Sequence, residues 1–371
     1  MEQGFQLRDV FHPTVVNQLA RNIAKTWPEF DQNGFSEAVN SRLAQLSFGE
    51  RNNLIRDMLW EYLPKDFPQA VQILVNSLGP EIPHCEITGF DAFIVMSQND
   101  FVAKYGLDDF DLSMQALYEM TKRFTAEGAI RAFIQKYPDQ TLKRLAEWAG
   151  DENCHVRRLV SEGTRPRLPL APRLPQFIKD PRPVLRLLEK LKADPEQMVR
   201  RSVANNLNDI AKDNPEVVVE TLKRWQKTKN KGTQWIVAHA SRTLVKQGHE
   251  DALTLLGYSP TPAIRVQGLR LNKTTIRMGE DLTFEFEVHS KSDGPQNLMI
   301  DYVIQHRKAN GKLAPKVFKL VKKKLNRGET LWLSKKHPFR QISTRKYYSG
   351  KHILEIQING KIYAQAKFDL A

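Results

Sequence analysis

The sequence predicts a multidomain protein: an all-α, HEAT-like helical-repeat solenoid over residues 1–259, followed by an all-β, immunoglobulin-like sandwich over residues 260–371. Three observations support this fold class. A helical segment that begins at Val156 (VRRLVSEG) recurs 43 residues later at Val199 (VRRSVANN). Apolar residues recur at helical spacing up to about residue 259, and beyond Pro260 they alternate with polar residues.

Amphipathic helices account for the first region. In the second repeat copy Val199 and Val203 belong to an apolar stripe, whereas Arg201 and Asp209 line a different face of the helix. Thr125 is positioned to cap a further helix. Other helices are predicted at Glu50–Leu63, Pro68–Leu78, Pro138–Trp148, Val184–Leu191, Pro215–Trp225, Thr233–Gln247 and Glu250–Leu256. Stacked antiparallel pairs of this length form a curved solenoid whose concave surface suits an elongated ligand.

Aromatic residues of the first helices, such as Trp60, Phe93 and Phe110, are interpreted as core residues rather than as a platform for a ligand.

The connection from Gly163 to Arg182 interrupts the helical regularity. This connection has prolines at positions 166, 169, 172, 175 and 181, and another follows it at position 183. These prolines are expected to prevent a helix here. A structureless stretch of this length exceeds the usual loop range, so it is either functional or disordered. Arg165, Arg167 and Arg173 favour a functional loop.

Short strands account for the last region. Apolar and polar residues alternate over 282–288, 298–304 and 353–358, and turn-forming pairs separate these runs, as at Asn310-Gly311 and Asn359-Gly360. Short strands without helices are typical of an immunoglobulin-like β-sandwich, although no cysteine pair of the antibody type is present in the sequence of this region.

Most of the net charge of +14 lies in this β region, which contains 22 Lys and Arg but only 9 Asp and Glu. Such an excess indicates a polyanionic partner, and nucleic acid is favoured over a membrane surface. A well-solvated basic surface is the alternative. Lys322, Lys323 and Lys324 are consecutive and so cannot share one face of a strand; they serve either phosphate contact or protection of a sheet edge.

Several classes of protein are disfavoured. The sequence has no run of 18 apolar residues and no basic, apolar start of the secretory type, so we expect a cytoplasmic protein. Cys85 and Cys154 are too few for a structural zinc site and are interpreted as two ordinary thiols. No glycine-rich phosphate loop is present. We therefore expect neither a metal nor a cofactor.

Three runs carry a resemblance to a known family: SEGTRPRLP from Ser161, VRRSVANNLNDIAKDNP from Val199, and HASRTLVKQG from His239. Together they resemble the AlkC branch of the AlkC/AlkD-type bacterial DNA alkylation repair glycosylases, some of which carry a C-terminal immunoglobulin-like domain. The resemblance implies a monofunctional enzyme of base excision repair. It would remove cationic N-alkylated bases, such as 3-methyladenine and 3-methylcytosine, from duplex DNA without a deep base pocket. We expect a monomer that acts on nucleoid DNA.

The resemblance also implies residue roles. Glu162 matches the acid after the first repeat copy, Asp209 the acid that closes the second, and Glu127 an acid of the preceding helix. Arg158 would hold a backbone phosphate or orient Glu162. Related sequences often have tryptophan where Leu170 stands. The remaining predicted DNA contacts are Arg165, Arg167, Arg201 and the three lysines Lys322, Lys323 and Lys324.

Carboxylates suit this chemistry. An alkylated cationic base leaves as a neutral molecule, so a strong general acid is not needed, while the sugar gains positive charge that carboxylates stabilise. The alternative for each acid is a solvated surface charge. For the whole protein, the alternatives are a DNA-binding scaffold without catalysis, or a peptide-binding helical-repeat adaptor, which the basic β region disfavours.

Overall fold

Helices occupy about the first two thirds of the chain and strands the last third. The computed structural model describes residues 5–85, 89–342 and 345–371. The α-helices of these residues are α1 Pro13–Thr26, α2 Gln32–Leu43, α3 Phe48–Tyr62, α4 Phe67–Asn76, α5 Ile94–Tyr105, α6 Phe110–Thr121, α7 Ile130–Lys136, α8 Pro138–Trp148, α9 Cys154–Gly163, α10 Pro175–Lys179, α11 Arg182–Leu191, α12 Gln197–Ile210, α13 Pro215–Gln226, α14 Lys231–Ala240, α15 Arg242–Lys246 and α16 Glu250–Leu255. Two 3-10 helices lie at Leu7–Val10 and Asp91–Phe93. Among the described helices, none combines the length and the apolar character needed to cross a lipid bilayer.

The two repeat copies form α9 and α12, which pack side by side, and α14 packs next to α12. Asn153 caps α9 by accepting hydrogen bonds from the backbone N–H groups of His155 and Val156. The predicted apolar stripes are buried, as Val156 and Val199 illustrate. The prediction of a helical-repeat array is therefore confirmed.

The connection after α9 is ordered, and the buried side chain of Arg131 holds its backbone. Its guanidinium donates hydrogen bonds to the carbonyl oxygens of Gly163 (2.9 Å), Arg165 (2.8 Å) and Pro172 (2.9 Å). The prediction that prolines exclude helix here is wrong over five residues, because α10 forms at Pro175–Lys179. Pro175 occupies the first position of that helix, where a missing N–H costs no hydrogen bond.

Eight strands in the described part of the chain form two sheets, as expected for an immunoglobulin-like domain. The strands are β1 Ile264–Leu271, β2 Thr275–Ile276, β3 Asp281–Ser290, β4 Gln296–Arg307, β5 Leu313–Leu325, β6 Thr330–Pro338, β7 Gly350–Ile358 and β8 Lys361–Leu370. One sheet has the order β1-β3-β6 and the other β2-β8-β7-β4-β5. In β3 every second residue is buried, which confirms the predicted alternation. The core between the sheets is apolar, with Phe284, Phe286 and Leu354 among its members.

Strand β4 is buried on both faces, because short helices cover part of the outer face of its sheet. Gln357 donates a hydrogen bond to the carbonyl oxygen of Lys246 (2.8 Å), and Asn359 donates one to that of Ser259 (2.9 Å). Accordingly, the chain divides into two compact units: residues 1–218 with 228–240, and residues 219–227 with 241–371. The last helices thus belong to the same unit as the strands.

The two cysteines form a disulfide, so the interpretation as two ordinary thiols was wrong. The segment after α4 passes the first residue of α9, which brings the Cα atoms of Cys85 and Cys154 to 6.0 Å from each other. The neighbouring histidines also meet, since Nε2 of His155 lies 2.9 Å from the carbonyl oxygen of His84. The separation of 69 residues along the chain gave no hint of this contact.

Three histidines are buried in the β-sandwich around Phe339. The rings of His306, His337 and His352 lie 6.3, 5.1 and 6.3 Å from the Phe339 ring. Burial lowers the pKa of His306 to about 3 and that of His337 to about 4, and the nearby Arg345 charge acts in the same direction. Burial also lowers the pKa of His352. All three imidazoles are therefore neutral in the folded protein near neutral pH.

We predict that acid weakens the β-sandwich through these histidines. Below pH 6.5 the unfolded chain binds protons that the folded chain does not, so the free energy of unfolding falls as the pH decreases from 6.5 toward 4. One such histidine accounts for on the order of 2 kcal/mol by pH 5. Unfolding of wild type and His306→Gln in urea across this range measures the effect. His306→Gln should flatten the pH dependence, and an unchanged dependence in this variant would contradict the prediction.

Candidate active site

Helices α9 and α12 bring two buried carboxylates to one arginine. Nη1 of Arg165 lies 2.6 Å from Oε1 of Glu162, and its Nε lies 2.8 Å from Oδ2 of Asp209. The side chains of Glu162 and Asp209 are only 7% and 3% exposed. Burial opposes the charge of Arg165, but the two carboxylates outweigh this effect and raise the pKa of its guanidinium. The three groups therefore form a compact cluster of ion pairs.

A second arginine extends this cluster to Glu127. Nη1 of Arg158 lies 2.9 Å from Oε2 of Glu127, and its Nη2 lies 3.8 Å from Oε1 of Glu162. Glu127 precedes α7 and also accepts a hydrogen bond from the hydroxyl of Thr125 (3.0 Å). We call the series Glu127, Arg158, Glu162, Arg165 and Asp209 the acid–arginine chain. It places three carboxylates and two guanidinium groups in alternation.

Further polar contacts hold the side chains of the acid–arginine chain in position. Ser202 donates a hydrogen bond to Oε2 of Glu162 (2.6 Å) and accepts one from Ser161 (2.7 Å). Nζ of Lys212 lies 2.7 Å from Oδ1 of Asp209. Since both acids lie near the C-terminal ends of their helices, where negative charge is unfavourable, these cationic and hydroxyl partners offset the helix dipole.

Of the predicted DNA contacts not yet described, Arg167, Arg201 and the three lysines lie outside the acid–arginine chain. Arg167 forms a two-point ion pair with Asp213, at 2.6 and 2.8 Å. Arg201 is exposed on α12 and lines an open groove that also contains Arg157. Arg165, predicted to contact DNA, is itself buried between the two acids. Lys322, Lys323 and Lys324 are exposed on β5, the edge strand of its sheet, and the Lys322 ammonium lies 5.7 Å from the ring centroid of Tyr258.

Leu170 projects from the tip of the ordered connection. Its side chain is 80% exposed and its backbone adopts φ 61°, a conformation that non-glycine residues rarely take. Leu168, two residues earlier, is buried and anchors the tip. Leu170 is therefore presented to solvent by a constrained backbone.

Sequence reasoning missed two groups that hold this site. Arg131 supports the connection. Burial, which is the larger effect, and the nearby charge of Arg165 lower the pKa of the Arg131 guanidinium to about 10. Ser202 contacts Glu162 from the neighbouring helix. Neither stands out in a single sequence, because a buried arginine resembles a surface arginine until the packing is known. Within the described ranges, no group of three His, Cys, Asp or Glu side chains is placed to hold a metal ion.

Comparisons with known proteins agree with this architecture. Residues 92–244 match the family model of the DNA alkylation repair enzyme, and residues 265–371 match that of the C-terminal Ig-like domain of the uncharacterised protein YhaZ. The chain is 35% identical to the uncharacterised protein YhaZ of Bacillus subtilis over 365 residues, covering 98% of this chain and 99% of that one.

A solved structure extends the comparison to the whole fold. The alkylpurine DNA glycosylase AlkC of Pseudomonas fluorescens, bound to DNA containing an abasic site analog, superimposes with a TM-score of 0.91 at 36% sequence identity. The match covers 99% of this chain and 100% of that chain.

We predict that Arg165→Met strongly destabilises the helical unit. The substitution keeps most of the side-chain volume but leaves two buried carboxylates without their shared cation, and breaking a buried ion pair in this way typically costs about 3–5 kcal/mol. Chemical unfolding monitored by far-UV circular dichroism measures the loss. Arg167→Met is the matched control, because its ion pair lies nearer the surface and should contribute far less. Equal losses in the two variants would contradict the central role of Arg165.

Proposed function

This chain belongs to the AlkC-type DNA alkylation repair glycosylases, and on that premise we propose that it hydrolyses the N-glycosidic bond of cationic N-alkylated bases in duplex DNA. Its substrates are 3-methyladenine and 3-methylcytosine, and its products are the free base and an abasic site. The enzyme is monofunctional: it cleaves the base from the sugar and leaves the DNA backbone intact. It acts as a monomer on nucleoid DNA in the cytoplasm.

The observation that carries this proposal is the acid–arginine chain. Three carboxylates from distant parts of the sequence converge on one side of the helical unit, and two arginines fix their positions. Such an arrangement supplies preorganised negative charge to a reaction that develops positive charge on a sugar. A DNA-binding scaffold without catalysis would have no use for carboxylates beside the phosphates of its ligand.

The chemistry follows from the charges. As the glycosidic bond breaks, its electron pair neutralises the cationic base, and the sugar becomes an oxocarbenium-like cation. The carboxylates of Glu127, Glu162 and Asp209 stabilise that cation, and one of them orients the attacking water and accepts the proton that the water loses as its oxygen bonds to the sugar carbon. Glu127 is the most exposed of the three, with a side chain 25% accessible, so we assign the contact with water to it. Because the base leaves as a neutral molecule, no general acid is required.

The arginines divide between positioning and DNA contact. Arg165 holds Glu162 and Asp209 and is therefore a positioning residue, although its place in an arginine-rich loop had predicted a DNA contact. Arg158 orients both Glu127 and Glu162. Arg201 is exposed on α12, so we propose that it binds a backbone phosphate, and Arg167 lies near enough to the surface to do the same.

We predict that the purified full-length protein releases free base from methylated duplex DNA in the presence of a metal chelator. Glu127→Gln, Glu162→Gln and Asp209→Asn should each lower the single-turnover rate, by roughly 100- to 1,000-fold for the residue that faces the developing charge. DNA affinity should change little or rise, because a negative charge near phosphates is removed. Released base is measured by chromatography and affinity by fluorescence anisotropy.

The matched control is Asp108→Asn, which removes an exposed acid outside the acid–arginine chain whose partner, Lys136, has no proposed role in catalysis or DNA binding. It should excise at the wild-type rate. Failure of the wild-type protein to release any base would refute the proposed function, and variants that lose binding but excise normally once bound would reassign the acids to structure. Melting curves separate loss of chemistry from loss of fold.

We predict that Lys322, Lys323 and Lys324 contribute to binding of DNA phosphates. Their replacement by glutamine in the full-length protein should make the slope of log affinity against log salt less negative, by about 0.9 for each phosphate that is no longer neutralised. Replacement of three other exposed lysines of the β-sandwich, Lys335, Lys351 and Lys367, is the matched control for net charge. Equal slopes in both triple variants would show that the lysine run of β5 only protects a sheet edge.

A further inference from the structure

An apolar cavity of about 280 Å³ adjoins the acid–arginine chain. Glu127 and Arg158 line it on one side, and residues 168–171 of the ordered connection line it on another. Its volume lies just below the range of about 300–1,000 Å³ found for ligand pockets, so it suits a ligand of about the size of a single nucleobase. The positions of Glu127 and Arg158 place the cavity directly beside the proposed site of bond cleavage.

Three aromatic rings form one wall of this cavity. The ring centroids of Phe93 and Phe124 are 4.8 Å apart, and those of Phe48 and Phe93 are 6.4 Å apart. Met96 and Met198 add polarisable thioether groups. Phe93, which its sequence context predicted to be a core residue, is half-buried and faces the cavity. A contiguous aromatic wall of this kind favours a flat, weakly hydrated ligand by stacking.

One polar side chain in the lining has an unused acceptor. Asn99 is 2% exposed, and its amide nitrogen donates to the carbonyl oxygen of Thr125 (3.3 Å). Its Oδ1 atom has no hydrogen-bond partner among the described residues. A buried acceptor without a partner is unfavourable, and the exocyclic amino group of a ligand would satisfy it if a small rotation of the Asn99 amide turned Oδ1 toward the cavity. Both 3-methyladenine and 3-methylcytosine carry such a group.

We propose that this cavity binds the alkylated base after its release from DNA, an inference that rests on the proposed function. The freed base is flat, neutral and methylated, so it gains more from aromatic and thioether walls than from water. The cavity begins at Glu127, so the base has a path away from the reactive sugar. Occupation of the cavity delays the return of the base to the abasic site and makes the free base a product inhibitor.

Isothermal titration calorimetry of the full-length protein with free 3-methyladenine tests this assignment. Gly128 lines the cavity, has an ordinary backbone conformation, and has no neighbouring atom within 4 Å of a Cβ built on it. Gly128→Leu should therefore fill the cavity and weaken binding at least tenfold. Gly49→Leu is the matched control, because Gly49 has equal space but does not line the cavity, and it should bind as the wild type does.

Two further measurements bear on the chemistry of recognition. Phe124→Leu keeps an apolar lining but removes a ring, and it should weaken binding several-fold. 3-Methylhypoxanthine, in which a carbonyl replaces the amino group, should bind more weakly than 3-methyladenine, because it offers no donor to Asn99.

The outcomes separate this proposal from the function on which it rests. Saturable binding of 3-methyladenine that is lost in Gly128→Leu and retained in Gly49→Leu supports the cavity as the site. Absence of binding, or equal binding in both variants, overturns it even if the protein excises alkylated bases. Binding without excision would leave the cavity assignment standing and would refute the proposed glycosylase activity instead.

Discussion

The geometry of the site depends on one buried cation, Arg165, that forms ion pairs with two buried carboxylates. Burial of an isolated carboxylate is prohibitively unfavourable, and the guanidinium that reaches both Glu162 and Asp209 offsets much of that cost. Arg165 belongs to the connection rather than to either helix. The order of that connection and the alignment of α9 with α12 are therefore maintained by the same contacts.

Arg131 explains how a proline-rich connection can support such a contact. Its guanidinium binds three carbonyl oxygens that no regular backbone hydrogen bonds would satisfy. This fixes the backbone on both sides of the tip at which Leu170 is exposed. The two buried arginines repel each other, and the carboxylates of the acid–arginine chain offset that repulsion. Of the two buried arginines, Arg131 thus orders the connection and Arg165 pairs with the acids.

The sequence was sufficient to predict the helices that repeat and the strands in which apolar and polar residues alternate. The VRR copies identified α9 and α12, and the period-two pattern identified β3, because burial of one face imposes a spacing on each element. Features made by single long-range contacts were not predictable. Arg165 looked like a surface arginine, and the pairing of Cys85 with Cys154 had no local signal. Helix α10 was missed because Pro175 was interpreted as a helix breaker rather than as a first residue.

The close approach of Gly248 and Gly360 limits how this protein could have been assembled from parts. Both glycines adopt positive φ, and a Cβ atom on Gly248 would lie 2.9 Å from the carbonyl oxygen of Gly360, so neither position tolerates a side chain. The turn after β7 has thus been fitted to the turn after α15. A recombination event that joined a foreign sandwich at residue 260 would bring an unmatched turn against that glycine. We expect exchange of the C-terminal region between relatives to succeed when the crossover precedes Ser241, because the short helices α15 and α16 are then transferred together with the strands.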